Sequence, residues 1–594
     1  MNYGKLVPSE SFRSGAAASG IPAPPQERPR RRRYLLLASL GAVLLLLVGG
    51  GAASLGILLA ARRSRSEELT KPSEAISRTC AMTRYPALCI SSLVNFPGAM
   101  AVPQNELVHV AVNVTLRHVG RAFYRAAAIA NLQMEKLERA AYEDCMELME
   151  DSVDQLRRSL AAIAAGRRGP SAADADVRTW LSAALTNQDT CAEGLAGVAA
   201  GPLKDQLAAY LEDLWEMASN SLAIFAGSSG GDDFSEIPIQ NRRRRLMGDA
   251  PFPAWVTGKD RSLLETPAVA IEADLVVAQD GSGRYETIQQ AVKAAPEHST
   301  RRIIIHIKAG RYEENVKVGR KKTNLMFIGD GRGKTIVSGN LSVSDRLTTF
   351  HTATFAAMGT GFVARDMTFE NTAGPAKHQA VALRVGADRA VVYRCDVLGY
   401  QDTLYVHSQR QFYRDCAVAG TVDFVFGNAA VVLQNCTLYA RRPLEKQKNT
   451  ITAQGRKDPN QNTGISIHVS RVLPSPELAA AEKEEGRHHR RYPTFLGRPW
   501  KAYSRTVFML SHIAGHVHPA GWLEWDGDFA VDTLYYGEYR NSGDGAAVGL
   551  RVNWPGYRVI AMEEEAAKFT VRRFIHGTSW LPSTGVAFLS GLTP

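Results

Sequence analysis

The chain has 594 residues, of which 45% are hydrophobic and 22% charged, and its formal net charge is +11. This length predicts two or three domains, and the composition is typical of globular protein. Much of the positive charge lies in three arginine-rich runs, at 30–33, 62–65 and 242–245. A basic surface favours nucleic acid, anionic lipid or an acidic polysaccharide. Because no nucleic-acid motif accompanies the runs, the last two are favoured.

The N-terminal part predicts a tail and a membrane segment. Residues 1–33 are rich in Pro, Gly, Ser and Arg, which predicts disorder. Residues 34–61 carry no charged side chain. This run is long enough to cross a hydrocarbon core of about 30 Å and longer than the apolar region of a signal peptide. We interpret it as a transmembrane signal anchor, with later cleavage left open, rather than as a buried core helix.

Residues 66–228 predict a helical domain. Segments 135–163 and 203–226 place apolar residues at helical spacing, and strand-like patterns are missing from the sequence here. Four cysteines lie in this part, at Cys80, Cys89, Cys145 and Cys191. An even number in a lumenal segment indicates disulfides, but four cysteines allow three pairings. A linker at 229–250 follows, with Gly, Ser and Asp before its basic run.

Residues 251–594 predict a solenoid of short strands. Five β-rich runs separated by turn signals lie at 303–307, 325–328, 361–369, 390–393 and 430–433. Cys395, Cys416 and Cys436 are spaced 21 and 20 residues apart, a period typical of stacked coils. We expect a right-handed parallel β-helix whose first coil is capped by a short helix near residue 288. The three cysteines are expected to be free thiols stacked in its core.

Two acidic residues of this solenoid predict chemistry. Asp402 and Asp423 lie 21 positions apart among apolar and aromatic residues, where an ionised carboxylate is rarely buried without a partner. Gln379 precedes Gln401 by 22 positions. Since neighbouring coils lie about 4.8 Å apart, all four side chains should meet in one patch. Carboxylates this close cannot both ionise easily, so one suits a nucleophile and the other a proton donor.

Four motifs in this order resemble the plant pectin methylesterases. They are Gln379–Leu383, Tyr400–Leu404, Gly420–Gly427 and Leu496–Trp500. The resemblance implies a parallel β-helix that hydrolyses methyl esters of homogalacturonan (pectin) to pectate and methanol in cell-wall modification. It implies neither a metal nor a cofactor.

A further motif, Trp180–Cys191, resembles the pectin methylesterase inhibitor and invertase inhibitor family. That resemblance implies an all-α four-helix bundle after an N-terminal hairpin. It also implies the bridges Cys80–Cys89 and Cys145–Cys191.

The resemblance to the esterases also assigns roles in the site. Asp423 is the expected nucleophile, Arg498 the partner that binds its carboxylate, and Asp402 the general acid. Gln379 and Gln401 are expected to donate hydrogen bonds to the oxyanion. Aromatic platforms for the sugar rings are expected at four positions, Trp500, Phe424, Tyr405 and Trp522.

Two other functions compete with the esterase. A β-helix glycosidase acting on polygalacturonan also uses carboxylates about 5 Å apart. The glutamine pair and Arg498 favour ester chemistry, which needs oxyanion donors. A binding or inhibitory protein, whose solenoid has lost its catalytic activity, is less favoured because all five catalytic positions are present.

Two local patterns could mislead. The glycine-rich run 329–335 is one residue short of the P-loop spacing and is interpreted as a turn. His512, His516 and His518 have ligand-like spacing, but no acidic or cysteine residue close by in sequence supports a zinc site.

The linker and the acceptor motifs predict processing. The basic run lies where proteases gain access easily, and it resembles the family's processing site. We expect a subtilase-type protease to cleave near four residues, Arg244, Arg245, Leu246 and Met247. The helical domain then either inhibits by covering the groove or assists folding and secretion. Asn113 and Asn340 are expected glycosylation acceptors, whereas Asn435 is expected to be buried.

Localisation and partners follow from these features. A membrane-anchored precursor is expected in the secretory pathway, and the mature enzyme in the cell wall. Pectin, the protease and inhibitor proteins are the expected partners, and nucleic acid is not. The charged insert 473–491 lies just before the Arg498 motif and has no assigned role.

Overall fold

A computed structural model describes residues 71–165, 172–228, 272–484 and 491–593. The expectations for the tail 1–33, the anchor 34–61 and the processing site 244–247 lie outside these ranges. Within them, no helix is both long and apolar enough to cross a bilayer.

The N-terminal part is helical. Its helices are α1 Glu74–Ala81, α2 Pro86–Val94, α3 Leu107–Ala127, α4 Lys136–Ala164, α5 Ala172–Ala196, α6 Pro202–Leu211 and α7 Leu214–Ser228. Helices α3, α4, α5 and α7 contact one another in a closed ring, which makes a four-helix bundle. Helix α4 begins with a capping box between Glu135 and Glu138, which satisfies backbone N–H groups at its first turn.

Two disulfides fix the bundle. Cys80–Cys89 closes the hairpin of α1 and α2, and Cys145–Cys191 joins the middle of α4 to α5. Both pairings agree with those implied by the resemblance to the inhibitor family.

The C-terminal part is a right-handed parallel β-helix of three sheets. The largest has eleven strands, β1 Leu275–Val277, β2 Ile303–Ile307, β5 Leu325–Gly329, β8 Val363–Arg365, β11 Ala390–Tyr393, β14 Arg410–Arg414, β17 Ala430–Gln434, β20 Gly464–His468, β23 Arg505–Met509, β25 Tyr535–Tyr539 and β26 Tyr557–Val559. The second has eight, β3 Gly310–Glu313, β6 Thr335–Gly339, β9 Thr368–Asn371, β12 Asp396–Leu398, β15 Ala417–Gly420, β18 Thr437–Ala440, β21 Arg471–Pro474 and β24 His512–Ile513.

The third sheet carries the site. Its seven strands are β4 Val316–Val318, β7 Phe355–Ala357, β10 Leu383–Val385, β13 Leu404–Val406, β16 Val425–Gly427, β19 Asn449–Gln454 and β22 Thr494–Pro499. Leu404 pairs with Leu383 on one side and Val425 on the other, a step of 21 residues in each direction. These residues point into the core. Because successive side chains of a strand alternate, the residue that follows each of them in its strand faces outward.

Short helices cover the solenoid. Helix α8 Ile288–Ala294 begins with a capping box between Thr287 and Gln290 and buries its apolar face on the first coils. Helix α9 Pro476–Glu484 lies in the insert, and α10 Glu563–Ala567 and α11 Val571–Phe574 follow the last strand. The last two join a hydrophobic cluster on the outside of the large sheet.

The turns show one wrong expectation. Cys395, Cys416 and Cys436 are buried free thiols, as expected. Asn435, however, is exposed, and its amide donates to the Asp415 carboxylate at 2.6 Å. The reason is that Asn435 occupies a left-handed turn, with φ of 53°, which directs its side chain away from the core. The run 329–335 links β5 to β6 as a turn.

A cavity of about 750 Å³ separates the end of α7 from the last coils. Ala226 and Gly227 line it on the helical side, and Pro555 and Gly556 line it next to β26. Helix α7 therefore ends beside the C-terminal end of the solenoid. Strand β1 lies at the opposite edge of the large sheet.

Candidate active site

Asp402 and Asp423 occupy equivalent turns on adjacent coils. Each lies two residues before a strand of the seven-stranded sheet, β13 or β16, and each has a left-handed backbone, with φ of 61° and 52°. The Asp402 N–H donates to the carbonyl of Val422 at 3.0 Å. Both side chains are fully buried. Non-glycine residues in this conformation cost about 1–3 kcal/mol and concentrate at functional sites.

Asp423 is held by three donors. Arg498 donates from Nε to Oδ1 at 2.8 Å and from Nη2 to Oδ2 at 2.6 Å. The Thr450 hydroxyl donates to Oδ1 at 2.6 Å. Paired charge-assisted bonds of this kind fix both the charge and the orientation of a carboxylate. The Asp423 oxygens are therefore held in place before any substrate binds.

Asp402 has the opposite environment. Neither of its carboxyl oxygens has a hydrogen-bond partner among the described residues. Burial raises the pKa of Asp402 well above its ordinary value, and the charge of Asp423 raises it further, while Arg498 opposes the shift. The protonated carboxyl is thus favoured at Asp402, which suits a proton donor.

Arg498 is positioned by its strand and by an aromatic ring. It lies in β22, opposite Ala453 of β19, and its guanidinium lies 4.4 Å from the centre of the Trp525 ring. A Cβ on the preceding Gly497 would come within 2.1 Å of the Thr452 hydroxyl. Glycine at 497 therefore allows β22 to approach β19 closely enough to place Arg498.

The two glutamines lie beside the carboxylates. Gln379 and Gln401 precede β10 and β13 on adjacent coils, and the Ala380 N–H donates to the Gln401 carbonyl at 3.2 Å. Their exposed fractions are 8% and 5%. Next to them, the insert helix α9 contributes Glu477, which pairs with Arg441. The Arg441 guanidinium in turn lies over the Tyr400 ring.

A row of aromatic rings crosses the outer face of the sheet. Tyr405 and Phe426 stack with centroids 4.1 Å apart, Trp500 lies 6.0 Å beyond Phe426, and Phe350 lies 6.3 Å from Tyr405. The register extends this row along one line of outward positions, Lys317, Ala356, Arg384, Tyr405, Phe426, Ala453 and Arg498.

The structure corrects two expected platforms. Phe424 has no exposed surface and packs in the solenoid core, because the turn at Asp423 directs it inward. Trp522 is also buried in that core, where it stacks on Tyr536 and donates to Glu538. Neither ring faces the groove. Phe426 occupies the place expected for Phe424.

The helical bundle covers this groove. Tyr405 and Phe426 belong to the same hydrophobic cluster as the bundle core, and Trp500 packs against it. The Thr190 hydroxyl of α5 lies 3.0 Å from His407 Nε2. Burial, assisted by the charge of Arg384, lowers the pKa of His407 to about 3.

Charges on the two surfaces are complementary. Carboxylates on α4 and α5 meet cations of the solenoid in ion pairs that include Glu147 with Arg384, Glu150 with Arg320, Asp176 with Arg389, Asp189 with Lys457, and Glu193 with Lys501. Burial and the neighbouring Asp189 raise the pKa of Glu193. The bundle therefore presents an acidic face to a basic groove.

Sequence patterns missed several of these residues. Thr450 follows Asp423 by 27 positions rather than 21, because the intervening coil is longer, so the repeat does not align them. Phe350 and Trp525 lie outside the strands of the sheet. Phe426 could have been predicted from the sequence, because it occupies an outward position of β16.

No metal site accompanies these groups. In the described ranges, no group of three or more His, Cys, Asp or Glu side chains could hold a metal ion.

Comparison with known proteins identifies the family of each part of the chain. The family model for Pectinesterase matches residues 274–578, and the model for Plant invertase/pectin methylesterase inhibitor matches 74–224. The chain belongs to the pectinesterase family. It is a carboxylic ester hydrolase with an inhibitor-like N-terminal domain, and the glycosidase alternative is not favoured.

Several relatives resemble this pectinesterase over most of its length. "Probable pectinesterase/pectinesterase inhibitor 34" of Arabidopsis thaliana is 59% identical over 88% of the chain and 86% of its own length. "Pectinesterase 1" of Citrus sinensis is 45% identical over 90% of the chain and 91% of its own length.

One solved structure defines the solenoid as a unit. "Pectin methylesterase from Carrot" is 58% identical with a TM-score of 0.53, and the match covers 54% of this pectinesterase and 99% of the carrot chain. This share fits the solenoid alone, so a closely similar solenoid is an ordered structure without a helical domain.

Proposed function

We propose that this pectinesterase hydrolyses the methyl esters of homogalacturonan to pectate and methanol, with Asp423 as nucleophile. The observation that carries the proposal is the contrast within the buried pair. Arg498 and Thr450 hold Asp423 as a carboxylate acceptor, whereas Asp402 has a raised pKa and no partner among the described side chains.

The first half of the reaction forms an acyl-enzyme. A carboxylate oxygen of Asp423 attacks the ester carbonyl, and the developing oxyanion accepts N–H donors from Gln379 and Gln401. Each such donor lowers the barrier by about 3 kcal/mol. Collapse of the tetrahedral intermediate breaks the bond to the methoxy oxygen, which takes the proton of Asp402 and leaves as methanol.

The second half regenerates the enzyme. Asp402, now ionised, accepts a proton from water, and the resulting hydroxide attacks the carbonyl of the substrate acyl group in the anhydride. The bond to Asp423 breaks, which regenerates its carboxylate, and galacturonic acid leaves and loses its proton to solvent. Asp402 thus acts first as acid and then as base, and Trp500, Phe426 and Tyr405 support the sugar rings beside it.

Methanol release from highly esterified pectin tests this mechanism, using residues 251–594. The wild-type fragment should release methanol, and Asp423→Asn should lower the rate by at least about 10³-fold. Asp415→Asn is the matched control, because Asp415 has the same left-handed turn geometry, with φ of 56°, outside the site. New reducing ends without methanol would indicate a glycosidase and contradict the proposal.

We further propose that the helical domain inhibits the esterase. The contacts of α5 with His407, Lys457 and Lys501 support this role, as does the packing of the bundle on the aromatic row. Pectin cannot reach rings that the bundle covers. Adding residues 66–228 to the active fragment should abolish methanol release, and a fragment that stays active at saturating bundle would exclude inhibition.

The remaining expectations complete the proposal for the precursor. We propose anchoring through 34–61, cleavage near residues 244–247 by a subtilase-type protease, and a mature enzyme in the cell wall. Of the two acceptor asparagines, Asn340 is exposed and Asn113 is partly exposed. Immunoblots of membrane and wall fractions, before and after deglycosylation, test the three together. A single uncleaved species in the wall would contradict the cleavage.

A further inference from the structure

Arg384 is a buried cation that the ester mechanism does not use. Its exposed fraction is 1%, and its guanidinium carbon lies 3.3 Å from the centre of the Phe350 ring. Within the described chain, its Nε–H has no hydrogen-bond partner. The Glu147 carboxylate of the bundle lies 3.5 Å from Nη2, and the Met358 sulfur lies 3.6 Å from Nη1. The guanidinium is therefore incompletely satisfied.

The register places Arg384 in the groove. It is an outward residue of β10, one strand from Tyr405 and two from Phe426. Arg384 therefore lies two strand spacings, or about 10 Å, along the sheet from the coil that carries Asp423. On a pectin chain that runs along the aromatic row, a sugar unit bound there lies near the one under attack. The Phe350 ring stacks on one face of the guanidinium, and the Glu147 carboxylate lies at its Nη2 edge.

The chemistry of this position favours one ligand. A guanidinium binds a carboxylate through two parallel N–H donors, whereas a methyl ester carries no negative charge for it. In the full chain the bundle already places a carboxylate, that of Glu147, beside Arg384. Removal of the bundle would take this carboxylate away from Arg384.

We propose that Arg384 forms a binding subsite for a free galacturonate carboxylate, in the place that Glu147 occupies before the bundle leaves. The inference rests on the proposed function, because hydrolysis of a methyl ester generates this group. The enzyme then recognises its own product on a neighbouring unit and prefers partly de-esterified pectin. Glu147 occupies the subsite as a mimic of that product.

Direct binding tests the subsite without depending on turnover. The protein is the 251–594 fragment carrying Asp423→Asn, in which hydrolysis is expected to be slow enough for a binding measurement. The probes are a galacturonate hexamer with all carboxylates free and the same hexamer fully methyl-esterified. Arg384→Gln should reduce the ratio of the two association constants, free over esterified, by about tenfold. Arg384→Lys, which keeps the charge but not the paired donors, should reduce it less.

Arg389→Gln is the matched control. Arg389 also pairs with a carboxylate of the bundle, Asp176, but it lies outside the outward row of the sheet. Its substitution should leave the ratio within about twofold, and circular dichroism verifies the fold of each variant. An unchanged ratio in a folded Arg384→Gln fragment would overturn the subsite. Methanol release by the wild type reports separately on the esterase, so the two failures are distinguishable.

Discussion

Asp402 and Asp423 are chemically identical side chains that the fold places in two different environments. Both are buried in left-handed turns one coil apart. Three donors hold Asp423, while burial and the charge of Asp423 outweigh the opposing charge of Arg498 at Asp402. This difference in environment supports the proposed roles of Asp402 as acid and Asp423 as nucleophile, because environments that push two pKa values apart separate acid from base.

The first prediction concerns the proton donor. Asp402→Asn keeps the shape of the side chain but removes the proton given to methanol. Methanol release by the 251–594 fragment should fall by about 10²–10⁴-fold. An ester with a better leaving group than methanol needs less help from an acid. The deficit should shrink for such an ester, and an equal deficit for both would contradict the assignment.

The second prediction concerns stability and pH. Because its pKa is raised in the folded chain, Asp402 keeps its proton where the unfolded chain has lost it, above about pH 4. Its contribution is complete below that pH and is lost as the pH rises through the folded pKa. The midpoint of thermal unfolding of the full chain should therefore fall less with rising pH in Asp402→Asn. Parallel curves for the two proteins would contradict the shift.

At the scale of elements, close packing of β22 on β19 sets the position of Arg498. Gly497→Ala would place a methyl group 2.1 Å from the Thr452 hydroxyl and 2.8 Å from the Thr452 carbonyl, so the strands must separate. We expect methanol release to fall by about 10- to 100-fold, because small displacements of a positioned group are costly. The thermal midpoint should fall as well.

Gly319→Ala is the control for that substitution. Gly319 directly follows β4, and a Cβ there would meet no atom within 4 Å. Its activity and midpoint should match the wild type. Full activity in Gly497→Ala would show that β22 tolerates separation from β19.

The elements also show what a sequence can predict. The 21-residue step between Asp402 and Asp423 was sufficient to predict stacked coils and a shared patch. Alternation failed at Phe424, because the turn at Asp423 interrupts the strand pattern and turns two successive residues inward, Phe424 and Val425. Trp522 lies outside the strands, so its burial against Tyr536 depends on tertiary packing that no local pattern encodes.

At the scale of the whole molecule, the helical bundle covers the groove of the solenoid. We expect the uncut full chain to release methanol at a small fraction of the rate of 251–594. Replacing Arg242–Arg245 by the site of a specific protease allows the linker to be cut in vitro. Cut protein should release methanol on dilution, whereas uncut protein should remain inactive at every concentration. Dilution-independent activity of the uncut chain would contradict inhibition in cis.

Helix α7 ends at one end of the solenoid and β1 lies at the other, and this separation affects how the bundle leaves the groove. Ser228 lies beside the last coils and β1 at the first, ten strand spacings or about 48 Å away. The intervening 43 residues, 229–271, reach about 140 Å when extended. An intact chain therefore keeps the bundle at a high effective concentration, on the order of millimolar, near the groove. If the bundle inhibits as proposed, cutting the chain makes rebinding bimolecular, and the local density of enzyme then governs activity.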